Sequence, residues 1–501
     1  MIAILQFIFY HFCAIIAIAH RAYSFDKWGV IMTLAELQSL ISAKQPIHLS
    51  GIGGVSMRAL AELLLHMGAR VQGSDRERSP FTDHLEALGV RIYIGQREEN
   101  VLGAAAVIRT AAVLDQNPEI VAARRLGLPV VERGQAWGLI MGLYDHAICI
   151  AGTHGKTSTT SMVATFALDA GLDPTVMVGG ELSSIGGGTL RIGGRDLFIA
   201  EACEYKNSYH SFCPTAAVIL NIDRDHLDFF RDTEDIIASF RHFASLVPPH
   251  GAIIANRDDA NTMQAVNGLP RRLITFGLRP DADVRACEIS CRDGMYSFDI
   301  SCFGKPWGRA DLSVPGEHNL YNALAAAACA VFLGTSPEAF AHGLAQYRGV
   351  GRRFEPHGRY NGALLFDDYA HHPSEIEATL TAARAMNPKR VICVFQPHTY
   401  SRTISLRNEF AQALSHADLC VITDIYASRE INTAGINSHY LSDLIPGSVC
   451  VGSFDEARRL IARSARPGDI IFSMGAGDVF KIWDGFPPEP APCEDCPNRP
   501  L

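Results

Sequence analysis

Residues 146–158 read HAICIAGTHGKTS. The apolar run 146–150 suits a buried strand, and the helix-period segment from Ser158 to about residue 170 suits a helix. Between them lies the turn Gly152-Thr153-His154-Gly155-Lys156-Thr157. A strand, a glycine-bearing turn and a helix start gather several backbone N–H groups around one point. The helix dipole adds to their pull on an anion, so the expected guest is phosphate. Lys156 is placed to neutralise the outer phosphates of a nucleotide, and the Thr157 hydroxyl to ligate Mg²⁺. The loop departs from the strict P-loop pattern, because Ile150 stands where that pattern has glycine.

The same alternation of apolar strand runs with helix-period segments extends in both directions and predicts parallel α/β layers. Upstream, a strand from 47 enters Gly51-Ile52-Gly53-Gly54, and a helix over 56–67 follows. Strands are expected at 70–73, ending on Ser74-Asp75, and at 105–109. Downstream of the phosphate loop they are expected at 197–200, 216–220 and 252–255. Short strands fill 270–315, and an Ala-rich helix covers 320–333. From about 352 a further doubly wound sheet is predicted, with strands at 364–367, 390–395, 419–423, 449–451 and 469–474. The fold class is therefore α/β in three domains. A Rossmann-like domain spans 45–145, a central P-loop-type nucleotide-binding domain 146–350, and a Rossmann-like doubly wound domain 351–484. Residues 1–44 form an extension with a first helix over 33–43, and residues 485–501 a flexible tail.

Length and charge agree with this division. At about 100–200 residues per domain, 501 residues make about three. The 44 basic and 53 acidic residues leave a net charge of −9, which argues against a nucleic-acid partner. The 13 cysteines mostly stand singly in apolar runs, as small buried hydrophobes of a reducing compartment. Residues 2–19 are apolar, at the lower edge for a membrane span, with no preceding basic residue to mark a signal peptide. A start at Met32 would remove them; an anchor there would leave the following chain in the cytoplasm. A cytoplasmic protein with no stable membrane partner is expected, as a monomer or weak homodimer. Cys493 and Cys496 supply half of a zinc site, with no second pair evident.

Polar clusters recur at strand ends, where open α/β sheets bind ligands. Glu201-Ala-Cys-Glu204 follows one strand, and Asn221-Ile-Asp223-Arg-Asp225-His226-Leu-Asp228 another. After a phosphate loop with one lysine, such oxygen and imidazole donors suit Mg²⁺. Gly316-Glu-His318-Asn319-Leu-Tyr-Asn322 opens the Ala-rich helix. Asn319 could cap it; His318 and Asn322 could equally reach a nucleotide. The last domain carries Arg352-Arg353-Phe-Glu355, Asp367-Asp368-Tyr369-Ala-His371-His372-Pro373 and His398-Thr-Tyr-Ser-Arg402. Arg353 and Arg402 suit carboxylate or phosphate oxygens. His371 and His372 are adjacent and should diverge rather than share a metal. Gly51, Gly53 and Gly54 with Asp75 mimic a dinucleotide fingerprint, but Ser56 stands where the third glycine belongs.

Taken in order, GIGG, AGTHGKTST, EACEYKNS, NIDRDHLD, GEHNLYN, GRRFE, DDYAHHP and HTYSRT resemble the motifs of the Mur ligases, across about residues 45–480. The closest likeness is to the members that add the first amino acid. The resemblance implies an ATP-dependent amide ligase of peptidoglycan precursor synthesis, with ATP, Mg²⁺, UDP-N-acetylmuramate and L-alanine as reactants. It implies that Gly51, Gly53 and Gly54 face the UDP-sugar diphosphate, with Ser74 and Asp75 near the uridine. Gly152 through Ser158 would bind ATP, with Lys156 on the phosphates. Thr157, Glu201 and His226 would hold Mg²⁺, with Glu204 able to exchange roles with Glu201. His318 and Asn322 would approach the adenine, and Arg353 and Asp368 the ribose and phosphate side. Tyr369, His371, His398 and Arg402 would frame the amino-acid pocket, and Lys156, Glu201, His226 and Arg402 would serve catalysis. A ligase that attaches a recycled tripeptide to the same sugar is the rival within the family. A dinucleotide oxidoreductase would leave the Lys156 loop unexplained. A non-catalytic regulator would bind ATP without releasing phosphate.

Overall fold

The structure, a computed structural model, describes residues 32–486 apart from 228 and 429. The apolar run at 2–19, Asp228, and the Cys493 and Cys496 pair lie outside the described residues. Contacts divide the chain into two compact units, up to Ala136 and from Trp137 onward.

The first unit opens with helix Leu34–Ser42. Its N-cap Thr33 accepts from the Glu36 amide, and the Glu36 carboxylate accepts from the Thr33 amide at 2.6 Å. Strands β1 (Pro46–Ser50), β2 (Arg70–Asp75), β3 (Arg91–Ile94), β4 (Ala106–Arg109) and β5 (Val130–Glu132) follow. They form an all-parallel sheet in the order β3-β2-β1-β4-β5, the Rossmann-like arrangement expected. Helix Val55–His66 buries Leu60, Leu63 and Leu64 on one side, the spacing that makes an amphipathic helix.

The second unit contains two sheets. The larger is built from β6 (His146–Ala151), β7 (Thr175–Leu182), β8 (Gly188–Arg191), β9 (Leu197–Glu201), β10 (Ala216–Ile219), β11 (Ala252–Asn256), β12 (Arg272–Gly277), β13 (Val284–Arg292), β14 (Met295–Cys302) and β15 (Lys305–Pro315). The order is β15-β14-β13-β12-β11-β10-β6-β9-β7-β8. Strands β13 through β7 in this order run parallel, and β14 and β8 turn antiparallel. The pair β7–β8 was not expected, and β15 is an eleven-residue strand rather than a short one. Helices Lys156–Asp169 and Glu317–Leu333 cover this sheet in one apolar core with Ile148, Val218 and Ile254. Asn319 lies inside the second of these helices; Gly316, not Asn319, is its N-cap.

The smaller sheet takes β16 (Glu355–Tyr360), β17 (Ala363–Asp368), β18 (Arg390–Phe395), β19 (Leu419–Ile422), β20 (Val449–Cys450) and β21 (Asp469–Met474). Its order is β16-β17-β21-β18-β19-β20, parallel except for β16. Among the described residues, no helix is long and apolar enough to cross a membrane.

The topology fixes where chemistry can occur. Strand β6 lies between β10 and β9, which leave it on opposite sides. The carboxyl ends of these three strands therefore open on one crevice. The phosphate loop follows β6, Glu201 ends β9, and Asn221 follows β10.

Candidate active site

The phosphate loop is held from one side by the β10 loop. The Asn221 side chain accepts from the His154 amide at 2.8 Å and donates to the His154 carbonyl at 3.1 Å. The Thr153 hydroxyl accepts from the Asp223 amide at 2.9 Å. Gly155 is the left-handed N-cap of helix Lys156–Asp169, with φ 83°. A Cβ there would lie 2.5 Å from Asn322 Oδ1. Left-handed backbone costs an L-residue about 1–2 kcal/mol, and the contact adds to it. Gly155→Ala is therefore expected to lower kcat/KM for ATP at least about tenfold. An ATP titration of initial rates checks this, beside a thermal melt that shows the fold is kept.

Lys156 curls back over this loop. Its Nζ donates to the Gly152 carbonyl (2.6 Å), the Thr153 carbonyl (3.1 Å) and Glu204 (3.1 Å). Burial works to lower its pKa, but the Glu204 carboxylate outweighs burial and raises it. Lys156 is thus a fixed cation at the mouth of the phosphate loop.

Glu201 answers to a different environment. It ends β9, and burial pushes its carboxyl up against the pull of the Thr157 hydroxyl and Lys156. Its Oε1 is buried without a hydrogen-bond partner. Gly179 of β7 leaves room for Oε2, since a Cβ there would lie 2.2 Å away. An unpaired buried carboxylate oxygen beside a threonine hydroxyl suits a hard divalent cation. Across from it, His226 Nε2 lies 3.8 Å from Glu204 Oε1, and burial presses its pKa down, leaving a neutral donor nitrogen. Glu204 pairs with Lys156, so Glu201 keeps the freer oxygen of the two. The structure thus sets Glu201 beside Thr157, and His226 on the other side of Lys156, against Glu204 and Asp225.

Beside the phosphate loop runs a cleft of about 410 Å³. Phe276, Tyr321 and Tyr347 give it ring surface, and Thr157, Ser158 and Asn256 give it polar groups. His318 and Asn322 line it. Burial and Arg353 press His318 down to about 4, so its ring is neutral. Asn322 is already engaged: Oδ1 accepts from Thr159 Oγ1 at 3.1 Å and Nδ2 donates to Asn319. Arg353 and Asp368 close the cleft from the smaller sheet. Asp368 is 5% exposed and accepts the amides of Phe354 and Ala370 at 2.9 and 2.8 Å. Burial lifts its pKa to about 6.

The last four predicted residues also gather. The His371 ring lies 5.4 Å from Tyr369 and 6.0 Å from His398. Burial, His371 and Arg402 press His398 down to about 4. Tyr369 carries the guanidinium groups of Arg352 and Arg353 on its ring, at 4.8 and 5.1 Å. Arg402 reaches across to the β10 loop, where its NH2 donates to Asp225 Oδ1 at 2.9 Å. Burial opposes that charge, but Arg402 and His226 hold Asp225 well below the usual carboxylate range. His372 diverges from His371. Its Nε2 donates to the Arg224 carbonyl (3.0 Å), and its Nδ1 meets the Ser374 hydroxyl. Both nitrogens are in use, so His372 is a strut between the two sheets.

In the first unit, the Gly51 and Ile52 amides donate to the Ser74 carbonyl, and the Gly53 amide donates to Asp75 Oδ2 at 2.8 Å. Gly54 is the N-cap of helix Val55–His66 and has no side-chain cap. The Gly54 amide donates to the Gly51 carbonyl at 3.3 Å, so all three glycine amides are engaged around their own loop. Ser74 differs from its expected place. Its side chain is 0% exposed and donates to buried Glu119 at 2.7 Å. Asp75, its neighbour on the strand, points the opposite way, as strand alternation requires.

Three roles that the sequence did not assign are now visible. Asn221 anchors the phosphate loop, Asp225 holds Arg402, and Glu375 touches His154 at 3.3 Å. Asn221 and Asp225 stood in a polar cluster read as a metal site, and Glu375 lies three residues beyond the helix cap His372, the spacing of a capping box.

Known proteins share this organisation. Residues 46–145 match the Mur ligase family, catalytic domain; residues 150–330 the Mur ligase middle domain; and residues 352–477 the Mur ligase, glutamate ligase domain. A UDP-N-acetylmuramate–L-alanine ligase of Caldanaerobacter subterraneus subsp. tengcongensis is 43% identical, over 88% of this chain and 96% of its own. One from Alkaliphilus metalliredigens is 45% identical, over 87% and 95%. Among solved structures, a UDP-N-acetylmuramate–alanine ligase from Thermotoga maritima matches with TM-score 0.71 and 28% identity, covering 88% of this chain and 97% of its own. Sequence, fold and the order of the site motifs along the chain agree: this chain belongs to the Mur ligase family.

Proposed function

We propose that this chain is an ATP-dependent amide ligase. It joins L-alanine to the lactyl carboxylate of UDP-N-acetylmuramate in peptidoglycan precursor synthesis. The observation that carries the choice within the family is the 43–45% identity, over nearly whole chains, to relatives that bear that activity in their names. A murein peptide ligase from Psychrobacter arcticus stands at 25% identity and TM-score 0.63, over 87% of this chain and 97% of its own.

A carboxylate does not acylate an amine unaided, so its oxygen first attacks the γ-phosphorus of ATP. ADP leaves and an acyl phosphate remains. The neutral amine of alanine then attacks the carbonyl carbon, and phosphate departs with the oxygen that came from the carboxylate. Lys156 and the amides of the phosphate loop stabilise the charge on the transferring group. Thr157, Glu201 and His226 would hold Mg²⁺, which when bound neutralises phosphate charge and polarises the γ-phosphoryl group. His318, Asn322, Arg353 and Asp368 border the nucleoside. Arg402, fixed by Asp225, offers its remaining N–H groups to the amino-acid carboxylate. His398 and His371 line the same side. Gly51, Gly53 and Gly54 would bind the UDP-sugar diphosphate, with Asp75 fixing their loop. ATP as the phosphoryl donor puts the reaction in the cytoplasm.

The test is phosphate release from Mg-ATP with UDP-N-acetylmuramate and, in turn, L-alanine, glycine, L-serine and a stem tripeptide. Release that depends on L-alanine, with the matching mass gain on the UDP-sugar, is expected. Release only with the tripeptide would move the chain to the recycling ligases.

A further inference from the structure

Helix Pro373–Ala385 begins with a capping box. Glu375 Oε2 accepts the amides of His371 and His372 at 3.1 and 3.3 Å, which satisfies the cap. The second oxygen is left over, and it faces the larger sheet. Oε1 lies 3.3 Å from His154 Nδ1 in the phosphate loop and 3.7 Å from an Arg353 nitrogen. The far side of the His154 ring lies 3.8 Å from Asp223 Oδ2. That same oxygen accepts from Ser374 Oγ at 3.0 Å, and His372 Nε2 donates to the Arg224 carbonyl. The first turn of one helix thus grips both loops that shape the phosphate site.

A carboxylate this close to a triphosphate site would repel its ligand unless neutralised. Burial opposes its charge, yet His371 and His154 hold Glu375 well below the usual carboxylate range. Burial likewise presses on His154, but Asp223 and Glu375 outweigh it and lift the ring to about 9. The His154 cation is clamped between one carboxylate from each sheet.

We propose that Glu375 is a positioning residue that couples the seating of the smaller sheet to the phosphate loop, by fixing the His154 side chain in the arrangement that permits phosphoryl transfer. This rests on the ATP-dependent ligase reading. Arg353, Asp368 and Glu375 itself border the nucleotide cleft from the smaller sheet, so losing the clamp acts on the binding of ATP as well as on the assembled complex.

Glu375→Gln isolates the charge, because glutamine also serves in a capping box. Removing the charge strands the His154 cation on one side, so the melting temperature is expected to fall, and rates are compared at a temperature where both proteins are fully folded. The value of kcat falls about tenfold, and KM for ATP rises with it because Glu375 and its neighbour Arg353 line the cleft. In a His154→Asn background, the same substitution changes kcat less than about twofold, because the partner is already gone. Unchanged kcat in Glu375→Gln would overturn the proposal. So would losses that multiply fully in the double variant, or a kcat loss confined to temperatures where the variant is partly unfolded. Amide hydrogen exchange over residues 152–157 adds a readout without turnover, and it should quicken severalfold in Glu375→Gln. Unaltered exchange would likewise count against Glu375. A wild type with no turnover would fault the substrate assignment instead, and the exchange result would still decide the clamp.

Discussion

Lys156→Ala leaves ligase turnover at least about a thousandfold below wild type, the scale of losing a fixed donor to a developing anion in a water-poor site. The Lys156 cation meets two loop carbonyls and Glu204, and no other lysine takes part in the described site. The substitution has a second consequence. Glu204 is 2% exposed, and without Lys156 its nearest remaining cation-capable group is His226, 3.8 Å away. An uncompensated buried carboxylate costs about 3–5 kcal/mol, so Lys156→Ala also unfolds at a lower temperature. Pairing it with Glu204→Gln removes the stranded charge. That double variant should regain most of the melting temperature and none of the turnover. Phosphate release and a thermal melt on the same samples separate the two effects. Turnover within tenfold of wild type in the single variant would remove Lys156 from the phosphoryl-transfer step.

Glu201→Gln divides activity from stability in the other direction. The carboxylate is buried, one oxygen has no partner, and burial raises its pKa. In the metal-free protein its charge is a cost, so an amide of the same shape should unfold at the same temperature as wild type or higher. Turnover should fall at least about a hundredfold, the upper range for a disturbed metal site. Magnesium should raise the melting temperature of the wild type, because a ligand that binds only the folded state stabilises it. It should leave Glu201→Gln nearly unmoved. Equal magnesium shifts in both proteins would place the cation elsewhere.

The sequence carried the fold where strands are buried on both faces. The stretches 390–395 and 469–474 read as apolar runs interrupted only by Arg390, Asp469 and Ser473, and are strands over those residues. Strands β7 and β8 were hidden because Gly179, Gly180, Gly186, Gly187 and Gly188 make that hairpin look like loop. One of those glycines serves Glu201, so the feature that hid the strand belongs to the site. Residues that act through their own loop were legible: the turn 152–157, Glu201 at a strand end, and His318 at a helix start. Residues that act on a distant partner were not. Asp225 and Arg402 stand 177 positions apart, and Glu375 and His154 stand 221 apart. Local spacing shows that Glu375 can cap its helix but not what faces its second oxygen. Ser74 and Asp75 were both assigned to the ligand, although adjacent strand residues face opposite ways. Ser74 turned to Glu119 and Asp75 to Gly53.

The central claim is that an amide forms through an acyl phosphate of the UDP-sugar. It is tested most directly by labelling the lactyl carboxylate of UDP-N-acetylmuramate with ¹⁸O and analysing the phosphate released with Mg-ATP and L-alanine. One labelled oxygen in the phosphate for each amide formed is the predicted result, since the carboxylate oxygen that attacks the γ-phosphorus leaves with it. Amide formation with unlabelled phosphate would contradict the mechanism.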